Sequence, residues 1–317
     1  MIWVIGCKGM LGQEICKQLT DQDISWIGTD SDVDITDFSS IDTFIQKFEA
    51  EAFYKYHSRD NQRINYIINC AAYTAVEKAE ENEELAYKLN VVGPRNIARA
   101  ARKINAKLVH FSTDYVFDGS AKQPYTEDTP KCPLGVYGKT KSEGEDEIEK
   151  EMTQYYIIRT AWLYGFNRPN FVYTMLKLMN THESIKVVND QIGSPTFTAD
   201  LSDVVIKIIQ MLELSQTNPL KYNVLPYGIY NYTNTGMISW YDFANEIYTL
   251  GRKYKLITNE CTVNPCTTEE YGAKVKRPAY SYLSKDKILS RIKIKIPDWK
   301  TSLEKFLKSK QLFSEAL

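Results

Sequence analysis

The sequence predicts an α/β fold with a doubly wound parallel sheet. Short runs of apolar and β-branched residues alternate with longer stretches of helical period, which is the pattern of a parallel sheet buried on both faces. A glycine-rich turn follows the first run directly, at residues 6–12. The strand-like runs are MIWVIG (1–6), ISWIGT (24–29), YIINCAA (66–72), KLVHFST (107–113) and YYIIRTAW (155–162).

Four stretches between or after these runs repeat their apolar residues with helical period. They are LGQEICKQLTD (11–21), SIDTFIQKFEAEAF (40–53), NEELAYKLNVVGPRNIARAARKIN (82–105) and GKTKSEGEDEIEKE (138–151). The polar segment 54–65 precedes the third strand, and we expect it to be a solvent-exposed extension. Strands and helices therefore alternate through the first half of the chain.

The glycine turn reads Gly6-Cys-Lys-Gly9-Met-Leu-Gly12 and lies between an apolar strand and an amphipathic helix. Residues without a Cβ atom let the backbone approach a pyrophosphate, and the helix N-terminus then offers unpaired N–H groups. In this setting the motif predicts a dinucleotide site. The residues expected to form it are Gly6, Lys8, Gly9, Met10, Leu11 and Gly12.

Two charged residues bear on which dinucleotide binds. Asp30 ends the second predicted strand, 18 residues after Gly12, where a carboxylate can bind the hydroxyls of the adenosine ribose and favour NAD. Lys8, inside the turn, could instead meet the 2′-phosphate of NADP. The sequence leaves NADPH and NADH both open as the cofactor.

The alternation loosens after residue 162, where loops become longer. Helical period returns near 200–214, 239–252 and 297–310. We therefore predict a nucleotide-binding domain over 1–162 and a smaller, mainly substrate-binding domain over 163–317, with some segments of the second returning to the first. A chain of 317 residues is long enough for both.

Composition argues against several classes of function. A net charge of −1 lacks the positive field of nucleic-acid binding, so we expect no nucleic-acid partner. The chain has no run of 18 apolar residues and no basic leader, so we expect a cytoplasmic protein with no membrane partner. Its six cysteines and three histidines are scattered, which argues against a zinc site, and we assign no metal-binding residues; whether magnesium binds at an interface is left open.

Seven further stretches occur in an order that resembles one family. They are NCAAYTAVEKAE (69–80), STDYVFDG (112–119), YGKTKSEGE (137–145), RTAWLYG (159–165), DQIGSPT (190–196), GIYNYTNTGMISWYDFA (228–244) and RPAYSYL (277–283). In these motifs the chain resembles the dTDP-4-dehydrorhamnose reductases, which are extended short-chain dehydrogenases/reductases. The resemblance implies a Rossmann-like cofactor domain, a C-terminal substrate domain, and reduction of dTDP-4-dehydro-L-rhamnose to dTDP-L-rhamnose.

Tyr137 and Lys141 are candidates for the chemistry, because reduction of a ketone leaves an alkoxide that needs a proton. Their spacing alone carries no weight: with 22 tyrosines and 29 lysines in 317 residues, 22 × 29 / 317 gives about 2 such pairs, and the chain has two. An ammonium group beside a phenol lowers the pKa of the phenol. Tyr137 is therefore expected to be the general acid, with Lys141 assisting it. By the resemblance, Lys141 also binds the nicotinamide ribose and Thr113 binds the substrate carbonyl, with Ser112 as the alternative.

The resemblance assigns further residues. Asn90 is expected to order the helix and a water behind Lys141, or else to bond within its own helix. The cofactor residues it adds are Ala71, Ala72 and Thr74, with Asp34 and Ile35 flanking the adenine. The substrate residues are Val76, Tyr115, Trp162 and, for the diphosphate, Arg277. Tyr115 and Trp162 could equally be core aromatics, and Arg277 a surface residue.

Two other functions stay open. A nucleotide-sugar dehydratase or epimerase is one, although the family's dehydratases carry an acidic pair after the equivalent of Thr113, where this chain has Asp114 and then Tyr115. A regulatory subunit without turnover is the other, because the family also resembles the β subunit of methionine adenosyltransferase. The expected partner is a dTDP-sugar, and a homodimer is left open.

Overall fold

A computed structural model describes residues 1–56, 63–167, 169–217, 224–272 and 275–309. Three sequence expectations reach beyond these ranges. Residues 57–62 of the predicted extension, residues 218–223 of a predicted loop and residue 310 of the last predicted helix lie outside the described residues.

The described ranges contain one central sheet and several pairs of short strands. The strands are β1 (Ile2–Ile5), β2 (Trp26–Thr29), β3 (Tyr66–Asn69), β4 (Lys107–Thr113), β5 (Tyr155–Thr160), β6 (Leu163–Tyr164), β7 (Ser184–Val188), β8 (Ile192–Gly193), β9 (Thr196–Phe197), β10 (Gly228–Asn231), β11 (Ile238–Ser239) and β12 (Thr262–Cys266). The five strands predicted in the first half are all present, each inside its predicted run.

The central sheet has the strand order β10-β5-β4-β3-β1-β2, and every neighbouring pair runs parallel. The predicted α/β class with a doubly wound parallel sheet is confirmed. The sixth strand, β10, comes from the chain after residue 162 and pairs with β5. The domain boundary at residue 162 stays a prediction.

Helices connect these strands. They are α1 (Met10–Asp21), α2 (Phe38–Tyr56), α3 (Val76–Glu81), α4 (Glu83–Tyr87), α5 (Gly93–Lys103), α6 (Val136–Glu151), α7 (Phe171–Thr181), α8 (Thr198–Thr217), α9 (Trp240–Lys253), α10 (Thr268–Tyr271), α11 (Asp286–Arg291) and α12 (Trp299–Leu307). None of them, within the described ranges, combines the length and the apolar character needed to cross a bilayer.

The helix predicted over 82–105 differs from the structure. A π-helical turn, Lys88–Val92, stands between α4 and α5. Inside this turn the side chain of Asn90 contacts Tyr73 and Thr140, which belong to other segments. π-Helical turns are frequent at functional sites. The contacts of Asn90 with other segments do not change the spacing of apolar residues, so the sequence pattern could not predict this turn.

Apolar clusters cover both faces of the central sheet. Ile2 and Val4 lie in one cluster with α1 and α8, whereas Trp3 and Ile5 lie in another with α2, α5 and α6. This alternation follows from the period of two along a strand. A third cluster joins α7, α9 and α12 in the second half of the chain. With both faces covered, the carboxyl edge of the sheet is where a ligand can bind.

Candidate active site

A cleft of about 430 Å³ lies at the carboxyl ends of β1, β3, β4 and β5. β1 and β3 are neighbours in the sheet, but the chain passes through the edge strand β2 between them. Open α/β sheets bind their ligands at such a switch point. Residues from several strand ends and from α6 therefore meet in one cavity.

Many of the predicted site residues line this cleft. Those predicted for catalysis or for the substrate are Thr113, Tyr137, Lys141, Val76, Tyr115 and Trp162. Those predicted for the cofactor are Gly9, Met10, Leu11, Ala71, Ala72 and Thr74. The predicted residues that lie outside its lining are Gly6, Lys8, Gly12, Asp30, Asp34, Ile35, Asn90 and Arg277.

The glycine turn brings its backbone against the loop after β3. Gly6 has a φ of +75°, in the left-handed region that glycine favours. A Cβ atom at Gly6 would lie 2.7 Å from the backbone nitrogen of Ala71, and one at Gly12 would overlap the carbonyl oxygen of Gly6. Glycine is therefore required at both positions for the turn to close in front of α1.

The residues predicted around the adenosine form contacts of their own. The Lys8 N–H donates to Oδ2 of Asp30 over 3.1 Å, so Asp30 lies against the glycine turn. Oδ1 of Asp34 accepts both the N–H and the hydroxyl of Thr36. Ile35 is 4% exposed and belongs to the apolar cluster beside α2 and α5. These contacts order the loop after β2, and the cofactor roles of its residues stay predictions.

Thr113 and Tyr137 meet at the cleft from two different elements. Thr113 ends β4, where its hydroxyl donates to Oδ1 of Asp114 over 3.0 Å and accepts the N–H of Tyr115 over 3.2 Å. Tyr137 lies in the first turn of α6, and its ring meets that of Tyr115 edge to face at 5.4 Å. The Thr113 hydroxyl is close enough to the Tyr137 phenol to act on its pKa.

Burial, rather than Lys141, governs the acidity of Tyr137. Burial raises the pKa of Tyr137 to about 12, while the Thr113 hydroxyl lowers it and the Asp114 carboxylate raises it. Nζ of Lys141 donates to the carbonyl oxygen of Phe111 over 2.6 Å and lies 3.3 Å from Nε2 of His110. The expected lowering of the phenol pKa by Lys141 is therefore not found in this arrangement.

Asn90 links the loop after β3 to α6. Its Oδ1 accepts the N–H of Tyr73 over 2.8 Å, and its Nδ2 donates to the Tyr73 carbonyl and the Thr140 hydroxyl, each over 3.1 Å. These bonds all leave its own helix. Thr140 precedes Lys141 in the chain, so Asn90 orders the turn of α6 that carries the lysine.

Trp162 is held in the cleft wall by an unusual backbone and a stacked ring. Its φ is +49°, which is uncommon for a residue with a side chain. Its ring stacks on Trp240, with centroids 3.7 Å apart and planes 14° apart. A Cβ atom at Gly193 would lie 2.7 Å from the same ring. Strain of this kind concentrates at functional positions.

Arg277 lies beside Tyr115 and α3. Its guanidinium donates to Oε1 of Glu77 over 2.9 Å. Burial is the main influence on the pKa of Tyr115 and raises it, and the charge of Arg277 acts in the opposite direction. Within the described part of the chain, the buried Nε of Arg277 has no hydrogen-bond partner. The role of Arg277 toward the diphosphate stays a prediction.

Asp114 and His110 are site groups that sequence reasoning did not assign. Asp114 lines the cleft and is 3% exposed, and His110 contacts Lys141. Both lie within three residues of Thr113 in the sequence, and that nearness was the only available signal. The side-chain partners of His110, Asn69 and Lys141, come from other segments, so no local pattern indicates its contacts.

Asp114 makes stability depend on pH. Burial raises its pKa to about 6 from an ordinary 3.8, although the hydroxyls of Thr113 and Ser281 lower it. Because the folded state holds the proton more tightly, ionised Asp114 destabilises the fold above about pH 6, and this cost disappears below about pH 4. We expect Asp114→Asn to raise the free energy of unfolding at pH 8 by up to about 3 kcal/mol, the equivalent of about two pH units.

Chemical denaturation between pH 5 and pH 8 measures this gain, which should shrink as the pH falls. Asp118→Asn is the matched control, because hydrogen bonds from Ser120 lower the pKa of Asp118 and its replacement should cost stability at pH 8. An Asp114→Asn protein that is less stable than wild type at pH 8 would rule out this account of Asp114.

Comparison with known proteins agrees with the motifs. Residues 1–312 match the family model described as RmlD substrate binding domain. The spore coat polysaccharide biosynthesis protein SpsK of Bacillus subtilis is 37% identical over 310 residues, which cover 98% of this chain and 97% of the relative. The dTDP-4-dehydrorhamnose reductase of Aggregatibacter actinomycetemcomitans is 37% identical over 303 residues, covering 95% and 96%.

A solved structure extends the match to three dimensions. The dTDP-4-dehydrorhamnose reductase of Bacillus anthracis, in complex with NADP, superposes with a TM-score of 0.82 at 35% identity, covering 96% of this chain and 97% of the other. The resemblance drawn from seven motifs is therefore confirmed over nearly the whole length. Sequence and fold together show that the chain belongs to the dTDP-4-dehydrorhamnose reductase family of oxidoreductases.

Proposed function

We propose that this enzyme reduces the 4-keto group of dTDP-4-dehydro-L-rhamnose to give dTDP-L-rhamnose, with NADPH or NADH as the source of hydride. The observation that carries the proposal is that Thr113 and Tyr137 line one cleft, which the glycine turn also borders. Reduction of a ketone needs an oriented carbonyl and a proton donor beside a dinucleotide. The name of the Aggregatibacter relative supports the choice of sugar.

The glycine turn fits a dinucleotide. Gly9, Met10 and Leu11 line the cleft at the start of α1, where free N–H groups and the helix dipole favour a diphosphate. The Bacillus anthracis relative binds NADP, which supports the same use of the turn here. When bound, the reduced nicotinamide supplies the hydride.

Tyr137 is the proposed general acid. Its pKa of about 12 keeps the phenol protonated at neutral pH, as a proton donor must be. The alkoxide formed at C4 is a stronger base than a phenolate, so the phenol proton passes to the sugar oxygen. For Thr113 to bind the same oxygen, its hydroxyl must turn away from Asp114, to which it donates in the structure.

Lys141 is proposed to stabilise the phenolate that remains. Its Nζ is bonded to β4 through the Phe111 carbonyl, so we propose that it turns from β4 toward Tyr137 during the reaction. Its long, unbranched side chain allows this movement. Asn90 supports the turn of α6 on which both residues depend.

The proposed substrate contacts are Val76, Tyr115, Trp162 and Arg277. The Trp162 ring forms part of the cleft wall, where it can cover the sugar nucleotide. The unpaired Nε of Arg277, in the described part of the chain, suits a phosphate oxygen. The named relatives are a polysaccharide biosynthesis protein and a reductase, which favours an enzyme over a regulatory subunit.

An assay with purified protein, dTDP-4-dehydro-L-rhamnose and either NADPH or NADH tests the proposal. We expect one cofactor to be oxidised for each sugar reduced, and NMR of the product to identify dTDP-L-rhamnose. Consumption of the sugar without net oxidation of the cofactor would indicate a dehydratase or epimerase instead. A talose product would show that the enzyme reduces the 4-keto group but with the opposite stereochemistry at C4 from the one proposed. The homodimer stays a prediction, which light scattering can test.

A further inference from the structure

Beneath Lys141 lie two polar side chains from adjacent strands. Asn69 ends β3, His110 lies in β4, and the two are paired in the register of the sheet. Asn69 and His110 are each 1% exposed, and Lys141 is 2% exposed. Bulk solvent does not reach these side chains, so we expect their donors and acceptors to pair in the interior.

The orientation of the Asn69 amide follows from its neighbours. Its Oδ1 accepts the N–H of Ala71 over 3.0 Å, which only an oxygen can do. Nδ2 therefore faces Nδ1 of His110, at 3.0 Å. Because Nδ2 carries only donors, Nδ1 of His110 must be the acceptor and bears no hydrogen.

The proton of His110 is consequently on Nε2. Burial is the main cause that lowers the pKa of His110 well below its usual range, so the ring is neutral. A neutral imidazole carries one hydrogen, and with Nδ1 accepting it lies on Nε2. That nitrogen is 3.3 Å from Nζ of Lys141.

Nζ of Lys141 thus faces a donor on one side and an acceptor on the other. It donates to the carbonyl oxygen of Phe111 over 2.6 Å, which an amine and an ammonium can both do. Toward His110 they differ, because an amine has a lone pair that accepts Nε2–H, whereas an ammonium has only donors. We propose that His110 is a positioning residue that donates Nε2–H to Nζ of Lys141 and so stabilises the amine form of the lysine against β4.

The charged groups around Lys141 are consistent with this state. Burial lowers the pKa of Lys141 to about 8. The carboxylate of Glu145, one turn along α6, has the opposite effect and raises this pKa. Glu145 is itself engaged by the guanidinium of Arg159 from β5, at 2.9 and 2.7 Å. The negative charge of Glu145 therefore interacts with both Arg159 and Lys141, so it stabilises the ammonium form of Lys141 less than it would alone.

Besides Tyr115, whose pKa burial also raises, the titratable groups that line the cleft with Lys141 are Tyr137, Asp114 and Cys70. Burial raises the pKa of Tyr137 to about 12 and that of the Cys70 thiol well above its usual value, so both are neutral at pH 7. Asp114, whose pKa burial raises to about 6, is the acidic one, and it accepts the Thr113 hydroxyl. Among the described residues, none of these three side chains is hydrogen-bonded to Nζ of Lys141.

The consequence for catalysis rests on the proposed function, in which Lys141 acts as an ammonium beside the phenolate. With His110 in place, Lys141 loses its proton at a lower pH than it would without this histidine. The alkaline decrease in kcat/KM should therefore also begin at a lower pH. Replacing His110 with phenylalanine should move the alkaline limb of kcat/KM upward by about one pH unit, the equivalent of one hydrogen bond of ordinary strength. A merely structural role would lower the rate without moving the limb.

NMR tests the inference without relying on activity. In wild-type protein labelled with ¹⁵N-histidine, we expect His110 to carry its hydrogen on Nε2 from pH 6 to pH 9. In protein labelled at lysine Cε, the signal that disappears in Lys141→Arg should titrate near pH 8. In His110→Phe that midpoint should rise by about one pH unit.

Two variants keep the result decisive. Asn69→Asp offers Nδ1 an acceptor, so we expect the hydrogen to move to Nδ1 and the Lys141 midpoint to rise. His182→Phe changes an exposed histidine that contacts Thr181, and it should leave the midpoint unchanged. A wild-type hydrogen on Nδ1, or a Lys141 midpoint that His110→Phe does not raise, would overturn the proposal even if the reductase assay succeeds. If the reductase assay fails, these spectra still decide the state of Lys141.

Discussion

Replacing Tyr137 with phenylalanine is expected to lower kcat by about 10² to 10⁴-fold, the range that a general acid contributes. The phenol is the group that can protonate the alkoxide at C4, and at a pKa of about 12 it is fully protonated at pH 7. Phenylalanine keeps the ring that meets Tyr115 edge to face, so the cleft should keep its shape. Steady-state turnover of dTDP-4-dehydro-L-rhamnose with NADPH measures the loss.

The control for this variant is the other tyrosine that has a lysine four residues later. Tyr173→Phe removes a hydroxyl on α7, outside the cleft lining, and should retain most of the turnover. Binding of NADPH, followed by fluorescence titration, should be nearly unchanged in both variants. Turnover by Tyr137→Phe that matches wild type would remove the phenol from the mechanism.

Replacing Arg159 with methionine is expected to lower the free energy of unfolding by about 3 to 5 kcal/mol, the usual cost of breaking a buried ion pair from one side. Arg159 is 2% exposed and Glu145 is fully buried. The guanidinium donates to both carboxylate oxygens and also to the carbonyl of Glu127 over 3.1 Å. Without it, Glu145 keeps an ion pair with Lys131, at 3.4 Å.

Chemical denaturation of three further variants locates the cause of this loss. Arg159→Met combined with Glu145→Gln should lose less stability than the sum of the two single changes, because the uncompensated charge is gone. Arg102→Met, which breaks an exposed pair with Glu151, should cost no more than about 1 kcal/mol. Additive losses in the double variant would show that packing, rather than charge, explains the effect.

The fold could be predicted largely because its signals are local. Each strand of the first half is a short apolar run, and the spacing of Gly6, Gly9 and Gly12 between a strand and a helix marks the turn. Thr113, Tyr137 and Lys141 were found because ordered motifs surround them. They come from β4 and α6, and only the fold brings them to one cleft.

Features that depend on contacts between distant segments could not be predicted. The role of Gly138 and Gly144 is one example: a Cβ atom at Gly138 would overlap the Tyr115 carbonyl, and one at Gly144 the Asn90 carbonyl. Both glycines therefore allow α6 to pack closely against these carbonyls. The pKa of Tyr137 is another example, because burial raises it to about 12 and the sequence does not show how far the side chain is buried.

The position of the transferred hydride tests the central claim most directly. Wild-type enzyme would be supplied with dTDP-4-dehydro-L-rhamnose and NADPH carrying deuterium at C4 of the nicotinamide, and the product would be analysed by mass spectrometry and NMR. The account predicts dTDP-L-rhamnose with one deuterium at C4 of the sugar. A sugar product without deuterium, or with deuterium at another carbon, would contradict it.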